Sequence, residues 1–283
     1  MAIFTNFATL SYNGGTTSSN TVTGELVAGI TAEKMAVADA YTRNGTVVYT
    51  ISLVNGGTTV VRELTVADDL GAYAFNDGTV YPLQYVDGTM RYFVDGILQS
   101  APTVTAGPPL TITGLNVPVG GSAMLLYEAA ITGYAPLDAD GTIVNTATIT
   151  GAGLKTPLTV TATIGTKEGA ELRIQKALCP ATVTENGQLT YTFVIENMGN
   201  TAASIADNVV LSDTFNPILK NIQVVYQGTA WTAGTHYTYD ETTGVFETLA
   251  GQIQVPAATY TQNTDGIWTA APGTVTLTVS GTV

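Results

Sequence analysis

The sequence predicts an all-β protein made of two antiparallel β-sandwiches in tandem, from its composition, its strand patterns and an internal repeat. Only 11% of the 283 residues are charged and 45% are hydrophobic, as is usual for β-proteins with many turns. Alternating runs at 46–54 (TVVYTISLV), 188–196 (QLTYTFVIE) and 274–281 (TVTLTVSG) are typical of half-buried strands. Asn-Gly, Asp-Gly and Pro-Gly pairs indicate turns between strands, and no helical periodicity of useful length is present.

An internal repeat sets the domain organisation. Residues 33–57 align with 175–199, and residues 64–70 align with 209–215. These alignments place Lys34 on Lys176, Asn44-Gly45 on Asn186-Gly187, Tyr49-Thr50 on Tyr191-Thr192 and Asp68 on Asp213. We therefore expect one sandwich at about 27–168 and a second at 169–283.

The N-terminal segment duplicates the end of the first repeat. Residues 2–25 and 141–164 share one order of features: an apolar start, Asn, Ala-Thr, a Gly-containing turn, then Thr-Val-Thr. The second repeat runs to 274–283 without a counterpart of this segment. We expect residues 1–26 to be donor strands that complete an open second sandwich. Their donated face would carry Phe4, Asn6, Ala8 and Leu10.

Charge and hydropathy exclude several classes of protein. The net charge is −13 with only nine Lys and Arg, so no basic stripe is available to neutralise nucleic-acid phosphates. The sequence contains no run of 18 apolar residues, so no transmembrane helix is expected. The N-terminus lacks a basic region and an apolar region, so we expect no secretion signal there. Cys179 is the only cysteine, so no disulfide forms within the chain.

These signatures resemble the prokaryotic "conserved repeat domain" family of bacterial surface proteins, the domain of unknown function numbered eleven. The features that carry the resemblance are the opening Lys, the (E/R)NG-x-(L/V)-x-Y strand, Asn55 or Asn197 before a turn, the V-x-D-x-(L/F) strand and NTATIT. The resemblance implies immunoglobulin-like sandwiches in an extracellular or appendage setting, on a cell or spore surface. It implies little about activity.

Three polar residues interrupt apolar strand faces in each repeat. Because alternate strand residues point to one face, each of these residues shares a face with apolar neighbours. The faces are Ile30, Ala32 and Lys34; Leu64, Val66, Asp68 and Leu70; Ile143, Asn145, Ala147 and Ile149; Leu172, Ile174, Lys176 and Leu178; Val209, Leu211, Asp213 and Phe215; and Phe4, Asn6, Ala8 and Leu10.

A Lys, an Asp and an Asn buried together could form a Lys–Asn isopeptide bond with release of ammonia. Desolvation lowers the pKa of a Lys amine and raises that of an Asp, which can then relay protons. The arrangement resembles the autocatalytic isopeptide domains of Gram-positive pilins and collagen-binding adhesins, which place Lys on the first strand and Asn on the last. The alternative is that Lys34 and Lys176 reach the rim and pair with nearby carboxylates.

The repeats differ in where the Asn comes from. Lys34, Asp68 and Asn145 all lie in the first repeat, whereas Lys176 and Asp213 would need Asn6 of another molecule. The tether from Glu25 to the Lys34 strand is about eight residues, under ~29 Å when fully extended, which favours an intermolecular route. We expect a homopolymer that grows head-to-tail by strand addition. The alternative is a non-polymerising surface adhesin or stalk module, whose ligand the sequence does not identify.

Weaker candidates point to no turnover enzyme and no cofactor. The DADG stretch at 138–141 lacks the remaining ligand spacing of a calcium loop and is interpreted as an acidic turn. His236 has no Cys or second His near it in sequence and is not expected to bind metal. Cys179 is expected to be a small buried hydrophobe. No nucleophile–base pair or phosphate loop is present in the sequence.

Overall fold

The computed structural model describes residues 2–26 and 29–283, and the chain divides into two compact units. The first unit runs from the N-terminus to Pro136 and from Asp140 to Thr166, and the second comprises Leu137–Ala139 and Lys167–Val283. The predicted all-β class is confirmed, because the only helix among the described residues is one 3-10 turn at Ile205–Asp207.

The strands of the first unit are β1 (Ala2–Asn6), β2 (Thr9–Tyr12), β3 (Gly15–Ser18), β4 (Val22–Leu26), β5 (Ile30–Ala36), β6 (Ala40–Tyr41), β7 (Thr46–Asn55), β8 (Val61–Asp68), β9 (Tyr73–Phe75), β10 (Gly78–Val80), β11 (Leu83–Tyr85), β12 (Arg91–Val94), β13 (Ile97–Leu98), β14 (Thr103–Thr105), β15 (Leu110–Val117), β16 (Ser122–Ile131), β17 (Thr142–Thr150) and β18 (Leu158–Thr166). Those of the second unit are β19 (Leu172–Cys179), β20 (Gln188–Asn197), β21 (Ser212–Thr214), β22 (Lys220–Tyr226), β23 (Thr229–Trp231), β24 (Tyr237–Tyr239), β25 (Val245–Thr248), β26 (Thr259–Gln262), β27 (Trp268–Ala271) and β28 (Gly273–Thr282).

The N-terminal segment forms a hairpin that pairs with itself. Strand β1 pairs antiparallel with β4, and β2 pairs with β3, each as a separate two-stranded sheet. The side chains of residues 4–23 are exposed or nearly so, including Phe4 at 56% and Leu10 at 65%. A two-stranded hairpin without a covering sheet is marginal by itself, and this one exposes apolar side chains such as Phe4 and Leu10 to solvent.

Two six-stranded sheets enclose the core of the first unit. One has the order β13-β12-β16-β7-β5, with β11 also on β16, and the other has the order β14-β15-β8-β17-β18-β6. Alternate residues of the long strands point inward, so that Ile51 of β7 and Val66 of β8 are fully buried in one core. Strand β17 lies between β8 and β18, and β18 contacts the edge strand β5, so the β17–β18 hairpin closes this side of the sandwich.

The second unit is built the same way but has fewer strands. Its larger sheet has the order β19-β20-β28-β22-β23 and its smaller sheet the order β21-β25-β24. Phe193 of β20, Phe246 of β25 and Val279 of β28 pack in one core. Strand β21, the counterpart of β8, pairs with β25 on one side, and no strand in the described part of the chain pairs with its other side.

Similar turns occur at the aligned positions of the two repeats. Asn44 and Asn186 both have left-handed backbones, with φ of 59° and 63°, in the Asn-Gly turns that precede β7 and β20. Asn55 and Asn197 are both fully buried and bind the following turns through their side chains. The aligned asparagines therefore stabilise equivalent turns in both units.

Candidate cross-linking cluster and open strand edge

A buried ion pair joins the first strand of the first sandwich to the middle of the opposite sheet. Nζ of Lys34 on β5 lies 2.7 Å from Oδ2 of Asp68 on β8, and both side chains are fully shielded from solvent. Asp68 Oδ1 also accepts the backbone N–H of Leu70 at 3.0 Å. A buried charge is tolerated when it is paired and hydrogen-bonded in this way. Lys34 therefore pairs with a carboxylate, as the alternative expected, but it does so in the core rather than at the rim.

A tyrosine connects this pair to the predicted asparagine. The hydroxyl of Tyr127 on β16 donates to Asp68 Oδ2, and Nδ2 of Asn145 on β17 donates to the Tyr127 hydroxyl oxygen at 3.4 Å. The ring of Tyr49 stacks on Tyr127 with centroids 5.7 Å apart, and Lys34 Nζ lies 5.3 Å from the Tyr49 ring centre. These five side chains, Lys34, Tyr49, Asp68, Tyr127 and Asn145, form what we call the Lys34 cluster.

Two polar atoms of the cluster are buried without a hydrogen-bond partner. They are Oδ1 of Asn145 and the hydroxyl of Tyr49. Leaving such atoms unpaired costs free energy, and native proteins usually avoid it. The carbonyl of Asn145 is therefore not held by another group, whereas its amide nitrogen is.

Burial shifts the ionisation of the cluster. Desolvation lowers the pKa of Lys34, although the Asp68 carboxylate beside it acts in the opposite direction. Desolvation also raises the pKa of Tyr127 and of Tyr49, and the charge of Asp68 adds to both shifts. A lowered lysine pKa favours the neutral amine, the form that can act as a nucleophile.

The structure brings the three predicted residues of the first repeat into one cluster. Lys34 contacts Asp68 directly, and Asn145 joins them through Tyr127. Sequence reasoning did not select Tyr49 or Tyr127, because a tyrosine on a strand is ordinary. Their approach depends on the β7–β16 register, in which Tyr49 is opposite Tyr127.

The corresponding pair in the second repeat is partly exposed. Lys176 on β19 contacts Asp213 on β21, and their side chains are 40% and 18% exposed. Lys176 Nζ also lies 4.4 Å from the ring centre of Tyr191 and 5.5 Å from that of Phe215. The same Lys–Asp contact is therefore made in both repeats, buried in one and reached by solvent in the other.

The apolar stripe of β19 is exposed, contrary to the expectation of a buried face. Leu172 is 38%, Ile174 56% and Leu178 49% exposed, whereas Ile30 on the equivalent β5 is 7% exposed. In the first unit the β17–β18 hairpin covers this position, and the second unit has no described strand there. We call the unpaired side of β21 and the exposed face of β19 the open edge.

The predicted donor residues are exposed in the hairpin. Phe4 and Asn6 lie on β1, and Leu10 lies on β2, while Ala8 falls in the break between the two strands. The predicted continuous face is therefore interrupted at residues 7 and 8, whereas the equivalent strand β17 is continuous. That Asn6 meets Lys176 of another molecule stays a prediction.

The weaker candidates have mixed outcomes. Cys179 is exposed at the end of β19, so its predicted burial is wrong, for the same reason that the rest of β19 is uncovered. His236 packs on Trp231 and accepts the N–H of Thr232 at its own Nδ1. Within residues 2–26 and 29–283, no group of three or more His, Cys, Asp or Glu is placed to hold a metal ion. No helix of the described chain is long and apolar enough to cross a membrane.

Comparisons with known proteins reveal only distant likeness. No protein-family model matches the chain, including that of the conserved repeat domain family, and no curated protein sequence matches it. The major pilin subunit BcpA of Bacillus cereus is 14% identical over 96% of this chain and 73% of its own, with a TM-score of 0.37. The pilus backbone RrgB of Streptococcus pneumoniae is 10% identical over 87% of this chain and 55% of its own, with a TM-score of 0.34.

A family 123 glycoside hydrolase of Clostridium perfringens is also similar, at 10% identity over 49% of this chain, with a TM-score of 0.32. The chain spans about a quarter of that hydrolase, 27% of its length. Likeness at these scores does not bear on function.

Proposed function

We propose that this protein is the structural subunit of an extracellular filament, and that subunits join when residues 2–25 of one molecule enter the open edge of the next. The observation that carries the proposal is the unpaired side of β21, at the position where β17 lies beside β8 in the first unit. An unpaired strand edge is a ready template for another chain. A head-to-tail contact of this kind that does not close on itself generates fibres.

The first unit supplies the register of the inserted strand. There, Ala147 of β17 is opposite Asp68 of β8, and β17 pairs with β18. Ala8 corresponds to Ala147, so Ala8 of the donor is opposite Asp213 of the acceptor. The returning half of the hairpin then lies against β19, as β18 lies against β5.

Insertion of the hairpin would bury two exposed apolar surfaces at once. The hairpin exposes Phe4 and Leu10, and the open edge exposes Leu172 and Ile174. Burying apolar surface contributes about 25 cal/mol per Å², so each surface stabilises the other. Insertion also shields Lys176 and Asp213, as Lys34 and Asp68 are shielded in the first unit.

Covalent bonds complete the proposal. In the first repeat, Lys34 Nζ attacks Cγ of Asn145 and ammonia leaves, with Asp68 relaying protons. Between subunits, Lys176 bonds to Asn6 of the donor with Asp213 in the same role. The support is the buried Lys34–Asp68 contact and the lowered pKa of Lys34. This is a single self-modification rather than turnover of a substrate.

The test of polymerisation is removal of the donor strand. Purified full chain should form filaments in electron micrographs as its concentration rises, and the chain without residues 1–12 should not. A synthetic peptide of residues 1–26 added in excess should shorten wild-type filaments by occupying open edges, whereas the same peptide with Ala8→Arg should not. If the truncated chain still forms normal filaments, strand donation is wrong and a non-polymerising surface module is favoured.

The test of the internal bond is intact mass. Monomer of the truncated chain should lack one ammonia relative to its sequence, and Asp68→Ala should restore the full mass. A full mass in the parent would overturn the internal cross-link without affecting strand donation.

A further inference from the structure

The Lys34 cluster contains a continuous path between the carboxyl group of Asp68 and the amide nitrogen of Asn145. The Tyr127 hydroxyl lies between them, donating its hydrogen to Asp68 Oδ2 and accepting one from Asn145 Nδ2 at 3.4 Å. Tyr127, Asp68 and Asn145 are all fully buried, so bulk water does not compete for these positions. Lys34 reaches Asp68 by its own hydrogen bond.

Nδ2 of Asn145 is the atom that departs as ammonia if the cross-link forms. An amide nitrogen is a poor leaving group until it is protonated, so the reaction needs an acid that reaches that atom. Asp68 is the predicted proton carrier, but its recorded partners are Lys34, Leu70 and Tyr127 rather than Asn145. The leaving nitrogen donates a hydrogen bond to Tyr127, and of the two cluster tyrosines only Tyr127 is also hydrogen-bonded to Asp68.

We infer that Tyr127 is the catalytic residue that passes a proton from Asp68 to Nδ2 of Asn145 as ammonia leaves. This inference rests on the proposed internal cross-link. Tyr127 acts as a relay rather than as a net acid, because its hydroxyl gains one proton and gives another in the same step.

Lys34 Nζ transfers a proton to Asp68, and its lone pair then forms a bond to Cγ of Asn145 while the C=O electron pair moves to Oδ1. Asp68 gives its proton to the Tyr127 oxygen, and the Tyr127 hydrogen moves to Nδ2. The C–Nδ2 bond breaks with its electron pair, ammonia leaves, and Oδ1 re-forms the carbonyl. Asp68 takes the remaining excess proton from Nζ, which leaves one new amide and one ammonia.

The hydrogen bond between Tyr127 and Asn145 reverses direction during this step. In the amide, the Nδ2 lone pair is delocalised, so the nitrogen can only donate, as the structure records. In the tetrahedral intermediate the nitrogen is pyramidal and basic, and it accepts. Oδ1 accepts no hydrogen bond in the cluster, so its lone pairs are unoccupied, and the charge that develops there is stabilised only if a donor moves to it during the reaction.

The second repeat lacks this relay. Tyr127 is opposite Tyr49 on β7, and the residue opposite the equivalent Tyr191 on β20 is Val279. Val279 is fully buried and has no hydroxyl group. The bond between subunits would therefore need a leaving-group proton from a source other than a counterpart of Tyr127.

The experiment follows ammonia loss over time in newly made protein. Full chain carrying Asn6→Ala, which removes the intermolecular bond, is produced by cell-free synthesis and sampled for intact mass in denaturant. Tyr127→Phe keeps the ring that stacks on Tyr49 and removes only the relay. We expect its cross-linking rate to fall by about 100-fold, the scale of a lost general acid. Tyr92→Phe, which removes another hydroxyl bound in the same unit to Asn116, should not change the rate.

The outcomes separate the relay from the proposed cross-link. If the parent chain never loses ammonia, the cross-link is wrong and the relay falls with it. If the parent loses ammonia and Tyr127→Phe does so at the same rate, the cross-link stands and the relay is overturned. Should Tyr127→Phe fail to fold by circular dichroism, 3-fluorotyrosine at position 127 keeps the ring and hydroxyl and changes only the acidity. A shifted pH profile of the rate then supports the relay, and an unchanged profile overturns it.

Discussion

Asp68 and Asp213 occupy the same position in the two repeats, but the strand that carries Asp68 is paired on both sides and the strand that carries Asp213 is paired on one. Asp68 is fully shielded with its lysine, whereas the Asp213 side chain remains 18% exposed. The two aspartates therefore occupy equivalent strands, one with neighbours on both sides and one with a neighbour on a single side.

The exposed face of β19 should be required for polymerisation and dispensable for folding. Ile174→Asp places a charge on a surface that insertion buries, which costs several kcal/mol, so polymer yield at a given concentration should fall more than tenfold. Because Ile174 is 56% exposed, the second unit itself should keep its stability. Light scattering measures polymer, and Ile97→Asp, at a 67% exposed site of the first unit, is the matched control. Equal polymer yields from both variants would contradict the docking surface.

Asn6→Ala should separate insertion from covalent sealing. Backbone pairing and shape survive the substitution, so filaments should still form. In hot detergent they should fall apart to monomers, because the remaining hydrogen bonds are each worth only about 1 kcal/mol. Denaturing gels measure this, with Asn20→Ala in the same exposed hairpin as the control. Wild-type filaments that dissolve equally well in hot detergent would mean that the link is non-covalent.

The buried tyrosines should make the first unit sensitive to alkali. Burial raises the pKa of Tyr49 above its ordinary value of 10.0, so the unfolded chain releases this proton first. The resulting stability is present below pH 10 and is lost as pH rises above it, by about 1.4 kcal/mol per pH unit for one group. Tyr49→Phe should reduce the slope of urea stability between pH 10 and 12, measured by circular dichroism.

Lys34 changes the stability of the fold in the opposite sense to the tyrosines, and it does so at lower pH. Before any cross-link forms, the folded pKa of Lys34 lies below its ordinary value of 10.5 because burial disfavours the charged amine, so its contribution to stability rises with pH up to 10.5 and is constant above. The loss above this pH therefore belongs to the tyrosines. Tyr49→Phe removes the contribution of Tyr49 to this loss. An unchanged alkaline slope in this variant would contradict the burial argument.

The two buried asparagines should stabilise their own units separately. Asn55 bonds to Thr59 and Gly57, and Asn197 makes the equivalent bonds in the second unit, so either change to Ala should cost about 2–3 kcal/mol. Both tryptophans, Trp231 and Trp268, lie in the second unit. Their fluorescence in urea should therefore respond to Asn197→Ala and not to Asn55→Ala. Equal responses would show that the units unfold together.

Sequence reasoning located the charged residues of the Lys34 cluster because each breaks a pattern. Lys34 and Asp68 interrupt apolar strand faces, and a charge in such a position needs a partner. Tyr127 breaks no pattern, since an aromatic residue on a strand is common. Its role depends on the register between two strands distant in sequence, which alternation alone does not specify.

The sequence of β19 could not predict that its apolar face is exposed, for a different reason. The alternation of Leu172, Ile174 and Leu178 identifies a face suited to burial, but burial requires something to cover it. In β5 the cover is supplied by a hairpin about 130 residues further along the chain, and β19 has no such cover among the described residues. The local sequence pattern predicts which face of a strand is apolar, and the neighbouring strands determine whether that face is buried. Cys179 is exposed for this reason.

The hairpin and the open edge belong to different strands of one chain, and this asymmetry gives any polymer a direction. In the proposed filament, one terminus would present a vacant acceptor, and the opposite terminus would present an unused hairpin with Phe4 and Leu10 exposed, as they are in the single chain. Added peptide of residues 1–26 blocks one terminus and leaves the other reactive. An anchoring surface need carry only one of the two halves to fix which way every filament points.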